Sequence, residues 1–272
     1  MCIRDSTCDN QHALSIIKKI DFDVLSFTGS APVGWLLKSE FYDKKVILEL
    51  GGNAGMIVDD LHNFDSLISN IIEGAFAYSG QVCIHLQRLI VNKNIFNELL
   101  PELLKRIEAL IYGDPLDEQT QISVMITEEA AINAENKIRE AVLHGAKLIT
   151  GGSRNASFLS PTIILEPQDN LPVVAEEVFA PVLCLFKYND FNEAIKMINN
   201  SRYGLSAAVW TSSIHQIKKA IEKIEVGSLL INASTTFRID HLPFGGWKLS
   251  GTGLEGTMYA IQEFQKIKTI II

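Results

Sequence analysis

An α/β fold with a mostly parallel sheet is predicted, and three observations predict it. Short apolar runs alternate with longer segments of helical periodicity along the chain. Glycine turns stand at the ends of the first two strands, at Gly29 and at Gly51-Gly52. The run Pro181 to Lys187 is apolar almost throughout, as a strand covered on both faces requires.

The elements follow in order. Val24 to Thr28 reads as a strand, Gly29 opens a turn, and a helix is predicted over Val33 to Phe41. Lys45 to Leu50 is a second strand, and Gly55 to Val58 continues extended. From Asp65 to Tyr78 the apolar positions Leu67, Ile68, Ile71, Ile72, Ala75 and Phe76 fall at helical spacing, and Ser79-Gly80 ends that helix. Arg88 to Val91 is a strand, Ile95 to Ile111 a helix, and Gly113-Asp114-Pro115 starts a loop. Thr127 caps a helix that runs to His144. Lys147 to Thr150 and Phe158 to Leu165 are predicted extended. Asp190 with Glu193 forms a capping-box-like start for a helix to Ile198. Leu205 to Trp210 is a strand, Ser213 to Ile224 a helix, and Gly227 to Ile231 a strand. A glycine-rich stretch, Phe244 to Gly256, precedes a short helix and a last strand, Lys266 to Ile272.

Composition narrows the function. The 272 residues are 47% hydrophobic and 21% charged, enough for one large domain or two modest ones. A net charge of −8 disfavours nucleic acid and anionic membrane as partners, since binding to either rests on basic surface. No apolar run reaches transmembrane length, so no membrane partner is expected. The four cysteines, Cys2, Cys8, Cys83 and Cys184, form no CxxC pair and no zinc template, which implies reduced thiols, a cytoplasmic setting and no metal. The start, Met1 to Ser6, lacks the apolar core of a signal peptide, and residues 1–8 are expected to be non-native or disordered.

Three segments carry chemistry. Cys83 lies in Ser79-Gly80-Gln81-Val82-Cys83, after a helix and in a glycine-containing turn. There a ligand can reach a thiol, and backbone N–H groups can lower its pKa or hold an oxyanion. The alternative is a buried structural cysteine, which is the better reading for Cys184. Glu49 ends an apolar strand just before Gly51-Gly52-Asn53, where ligand sites of α/β sheets gather; apolar surroundings would raise its pKa toward that of a neutral-pH base. A half-exposed strand-end charge is the alternative. Phe27-Thr28-Gly29-Ser30-Ala31-Pro32-Val33-Gly34 is a strand, a turn and a helix start, a place that favours phosphate but equally a plain β–α turn. His85 stands two residues from Cys83, too far along an extended segment for easy hydrogen bonding.

The order of these segments is more specific than any of them. Phe27-Thr28-Gly29-Ser30, Glu49-Leu50-Gly51-Gly52-Asn53, Gly80-Gln81-Val82-Cys83, Glu176-Glu177-Val178-Phe179-Ala180-Pro181 and Pro243-Phe244-Gly245-Gly246-Trp247-Lys248-Leu249-Ser250-Gly251 together resemble the aldehyde dehydrogenase superfamily, from Phe22 to the C-terminus. Within it the chain is similar to the lactaldehyde dehydrogenases and relatives acting on small polar or anionic aldehydes.

The resemblance implies an aldehyde dehydrogenase-like fold: residues 9–50 as the remnant of a Rossmann-like dinucleotide-binding domain, 51–248 as the thiol-bearing catalytic domain, and 249–272 as a return segment with an oligomerisation strand. It implies NAD(P)-dependent oxidation of an aldehyde to a carboxylic acid through a cysteine thioester, with NAD or NADP as cofactor. Cys83 matches the nucleophile and Glu49 the general base. Gly29, Ser30 and Gly34 match the turn against the dinucleotide, Glu177 the residue holding the nicotinamide ribose, and Phe179 the one beside it. Ala180 stands where the family usually has glycine. Arg238 and Phe244 match the substrate funnel, and Val82 and Ile84 flank the nucleophile as an apolar wall. A homodimer or homotetramer is implied for the full-length form. The family's oxyanion-hole asparagine and adenosine-ribose lysine precede the Phe-Thr-Gly-Ser turn, where this chain has 26 residues, and neither is assigned. The alternative is a chain that folds or oligomerises but is inert for lack of that segment.

Overall fold

A computed structural model of the chain describes residues 5–272. The expectation of disorder at residues 1–8 lies outside the described residues for positions 1 to 4; residues 5 to 9 are exposed coil. Helix α1 (Asn10–Ile17) follows, which the sequence pattern did not predict; the Asp9 side chain caps it by accepting the Gln11 and His12 N–H groups. Strands β1 (Val24–Gly29) and β2 (Lys45–Leu50) pair in parallel, with Thr28 opposite Glu49. Parallel pairing needs a crossover, and helix α2 (Ala31–Glu40) supplies it.

The main sheet holds seven strands: β3 (Ala54–Val58), β4 (Leu86–Asn92), β5 (Lys147–Thr150), β6 (Thr162–Leu165), β7 (Val182–Tyr188), β8 (Ser206–Trp210) and β9 (Ser228–Ile231), in the order β9-β8-β3-β4-β7-β6-β5. All neighbours are parallel except β5 and β6. Helices cover both faces. On β7, Val182, Cys184, Phe186 and Tyr188 point to one core and Leu183 and Leu185 to the other, which is why its sequence is apolar at consecutive positions. The first core takes helices α5 (Glu128–Leu143), α6 (Phe191–Asn199) and α7 (Ile214–Lys223); the second takes α3 (Phe64–Phe76) and α4 (Phe96–Glu108). Each fully buried large side chain there contributes about 1.5–3 kcal/mol.

A two-residue strand, β10 (Gly251–Thr252), returns antiparallel to β2 and places Gly251 opposite Glu49. Helix α8 (Thr257–Glu263) follows it.

Four local expectations change. The stretch from Phe158 to Leu165 is not continuous: Ser160 and Pro161 interrupt it, and proline cannot donate to a ladder. Glu193 accepts the Asn189 N–H at 2.9 Å, and the Asp190 side chain does not cap α6. Lys266 to Ile272, expected as a strand, is exposed and makes no ladder, because a single chain offers it no partner edge. The helix expected to reach Tyr78 stops at Phe76, and Tyr78 and Ser79 turn left-handed.

Candidate active site

The thiol is presented by a strained turn. Beyond α3, Tyr78, Ser79 and Gly80 adopt φ of 52°, 55° and 70°, a left-handed run that non-glycine residues rarely tolerate. Ser79 holds it: its Oγ donates to the Ser123 carbonyl at 2.8 Å and accepts the Ser123 N–H at 3.1 Å. Gly80 lies so close to the Ala180 carbonyl that no side chain fits. The chain then runs through half-buried Val82 and Cys83 into β4. Val82 and Cys83 pack against a small cluster of buried Ile84, Leu205 and Phe244. Val82 and Ile84 both belong to this cluster, and Leu205 joins it from another element. His85 takes no part: it is fully buried, its Nε2 pairs with the Ala75 carbonyl at 3.0 Å, and burial pushes its pKa down to about 4.

Glu49 sits in β2 between Thr28 and Gly251, 8% exposed. Its Oε1 is buried and has no hydrogen-bond partner. Burial, reinforced by Glu255 and opposed by Arg238, pushes its pKa up to about 8. The turn after it reaches the Cys83 backbone, because Gly52 packs against the Cys83 carbonyl with no room for a side chain. Cys83 feels both carboxylates. Burial first, then Glu177 and Glu49, push its thiol up to about 11. This corrects the expectation of a lowered thiol pKa: the cysteine's own N–H and Arg238 act in that direction, but desolvation beside two anions outweighs them.

Glu177 lies across the same glycine pair. Its Oε1 accepts the Gly52 N–H at 3.0 Å, and its carboxylate fills the space a side chain at Gly51 would need. Burial raises its pKa, while the Gly52 N–H and Lys137 pull it back. Phe179 follows, 42% exposed, in the left-handed region at φ 52°. Gly29 and Ser30 lie at the exposed N-terminus of α2, and the Ser30 side chain does not cap it. Gly34 is buried against the Leu50 side chain, so its missing Cβ also serves helix–strand packing.

Arg238 stands at the rim. Its guanidinium lies 4.2 Å from the Phe244 ring centroid and pairs with Glu255 at 2.7 Å, with Asp240 farther off at 3.8 Å. A cavity of about 1220 Å3 opens beside the thiol turn, lined among others by Tyr78, Gln81, Val124, Ile126 and Phe179. Neither Cys83 nor Glu49 lines it.

Sequence reasoning missed Glu255, which carries no local signal, and Asn53, Gln87 and Lys137, which surround Glu177. A lone amide inside an apolar strand was the available sign for Gln87. Among the described residues no cluster suits a metal ion, and no helix is long and apolar enough to cross a membrane.

Comparison with known proteins adds a frame to this geometry. The profile described as "Aldehyde dehydrogenase family" matches residues 9–270. A lactaldehyde dehydrogenase of Methanococcus aeolicus is 42% identical over 257 residues, which is 94% of this chain and 55% of that relative. The crystal structure of aldehyde dehydrogenase 21 from Physcomitrella patens, in complex with the reaction product succinate, superposes with a TM-score of 0.90 at 40% identity, covering 94% of this chain and 53% of that one. The glyceraldehyde-3-phosphate dehydrogenase of Methanocaldococcus jannaschii, complexed with NADP, gives a TM-score of 0.88 at 37% identity, covering 92% and 54%. The chain thus spans about half the length of the relatives it matches.

Proposed function

The chain belongs to the aldehyde dehydrogenase family, and from that premise we propose that it carries the thiol-bearing part of a site that oxidises an aldehyde to a carboxylic acid with NAD or NADP. Cys83 is the nucleophile and Glu49 the base. The observation that carries this reading is the buried, unpartnered Glu49 Oε1, on the strand whose terminal turn packs against Cys83. An unsatisfied buried oxygen is costly unless something it is built to meet, a water or a proton, arrives there.

The chemistry follows from the titration order. At neutral pH the Cys83 thiol is protonated, and as its sulfur bonds to the aldehyde carbon that proton passes to solvent water. Glu49, poised at about 8, is the nearer match for a base working near neutrality, and it accepts a proton from water when the acyl group leaves the sulfur. The Cys83 backbone N–H acts to lower its own thiol's pKa, which supports a role as donor to an oxyanion formed beside that sulfur. A donor of this kind is worth about 3–4 kcal/mol of barrier. Bound NAD or NADP supplies the hydride acceptor. Glu177 is the residue that would hold its nicotinamide ribose, Phe179 would pack beside it, and Gly29, Ser30 and Gly34 would meet the dinucleotide at the start of α2. The carboxylate already anchored on a glycine turn, and the open helix start, fit such a group.

The substrate is read as a small polar or anionic aldehyde. The relatives' names speak of lactaldehyde, glyceraldehyde-3-phosphate and succinate, and Arg238 is a cation held over the apolar wall of Phe244, Val82 and Ile84. An anionic group reaching Arg238 competes with Glu255 for it. Residues 9–50 are read as part of the dinucleotide-binding domain, 51–248 as the catalytic domain and 249–272 as the return segment. The exposed Ile267, Ile270, Ile271 and Ile272 support pairing of the tail with a second copy.

The direct test is Cys83→Ala in the protein as its gene encodes it. Aldehyde oxidation should fall by roughly 10⁴-fold or more while dinucleotide binding, read by calorimetry, survives. Retained turnover would rule out the assignment.

A further inference from the structure

Glu177 owes its place to side chains that touch neither thiol nor base. Gln87 on β4 is 1% exposed, and its amide is fully used on one short segment. Its Nε2 donates to the Val173 carbonyl at 3.0 Å and the Glu176 carbonyl at 2.7 Å, and its Oε1 accepts the Val178 N–H at 3.0 Å. Two of those groups are the peptide atoms immediately before and after Glu177. Asn53, 5% exposed, grips the segment as well: its Nδ2 donates to the Val174 carbonyl at 2.6 Å and the Glu176 carbonyl at 3.2 Å. Arg88, also buried, ties the Asn53 carbonyl to α6, donating to it at 3.0 Å and to the Met197 carbonyl at 2.7 Å. Lys137 closes the outer side, donating to the Glu177 carbonyl at 3.1 Å and pairing with the Glu176 carboxylate at 3.0 Å.

A segment without regular structure has no ladder of its own to satisfy its peptide groups. Here two buried amides replace that ladder: Gln87, partnered at both its nitrogen and its oxygen, fixes one register because any other leaves polar atoms unpaired, and Asn53 adds its Nδ2 donors while its own buried Oδ1 has no partner. We infer that Gln87, with Asn53, is a positioning residue: the pair sets the Glu176–Val178 peptides so that the Glu177 carboxylate lies against Gly51-Gly52 beside Cys83, ready for the nicotinamide ribose. The last clause rests on the reading of Glu177 given above; the positioning itself does not.

The test uses this chain alone and the thiol as reporter. The rate of Cys83 alkylation by iodoacetamide is followed against pH in the parent, in Gln87→Met, in Glu177→Gln and in the double variant, with a thermal melt confirming that each is folded. Removing the neighbouring carboxylate charge should lower the thiol midpoint by roughly one pH unit. Gln87→Met should lower it in the same direction by releasing Glu177, and should add nothing once Glu177 is already Gln. Gln87→Asn keeps the amide but is one methylene shorter, so it should shift the midpoint the same way by less, and it serves if the Met variant does not fold. An unchanged midpoint in the folded Gln87 variants, or an equal fall on the Glu177→Gln background, would overturn the positioning role. A separate titration of NAD and NADP into the full-length protein distinguishes the two readings. Both Gln87→Met and Glu177→Gln should weaken binding about tenfold. Shifted thiol midpoints with unchanged affinity in both would sink the ribose assignment and leave the positioning standing.

Discussion

The floor and the rim of the site are built by different means. On the floor, Glu49 is a strand residue 8% exposed, and Glu177 is held by a glycine N–H and a segment clamped by two buried amides. At the rim, Phe179 is 42% exposed, Tyr78 81%, and Arg238 rests on a close ion pair with Glu255, a longer one with Asp240 and one aromatic face. The difference teaches where precision is required. The two buried carboxylates are fixed by backbone pairing and buried polar contacts, and the exposed groups at the rim stand on loops, where a substitution is absorbed locally.

The largest effect should come from breaking the floor. Glu49→Gln keeps the shape and removes the base, and kcat should fall about 10²- to 10⁴-fold with dinucleotide affinity unchanged. In the parent, activity should rise with pH through about 8, as Glu49 ionises, and that rise should vanish in the variant. A steady-state pH profile of both proteins decides the matter; an unaltered rise would remove Glu49 from the mechanism.

The same substitution should sharpen the comparison through stability. Glu49 titrates at about 8 in the folded chain, above its ordinary 4.5, so between those values the native state retains a proton that the unfolded chain has released. Its contribution is therefore fully present below about 4.5 and is lost as pH rises through about 8. Glu49→Gln should exceed the parent by about 1–3 kcal/mol above pH 8 and converge with it near pH 4 in denaturant melts. A variant less stable at high pH would mean that the buried carboxylate has a partner.

Rim substitutions should do less. Arg238→Gln should raise KM for an anionic aldehyde about tenfold and leave a neutral one of equal size nearly unchanged, the scale of one charge-assisted contact. Equal losses for both would assign Arg238 to loop support through Phe244 and Glu255. Phe179→Ala should be smallest, weakening dinucleotide binding about fivefold, the scale of one partly exposed aromatic packing contact. A loss as large as that from Glu177→Gln would show that the rim is as constrained as the floor.

Much of this was legible in the chain itself. Strand and helix periodicity placed most elements, since alternation and 3.6-residue spacing are local properties. The five motifs in their order identified Cys83, Glu49 and Glu177 as candidates, because glycine turns at strand ends write themselves into neighbouring residues. Other features were illegible for reasons of distance. Gly251 lies about two hundred positions from Glu49 yet pairs with it, and Glu255 meets Arg238 across an intervening turn. Only the tertiary structure decided that the Cys83 thiol is raised rather than lowered, that His85 turns to Ala75, and that Gln87 meets the peptide groups on either side of Glu177. Residue type determines what a side chain is able to do. Its protonation and its partners depend on solvent exclusion and on charges brought in by other elements, and those quantities exist only once the chain has folded.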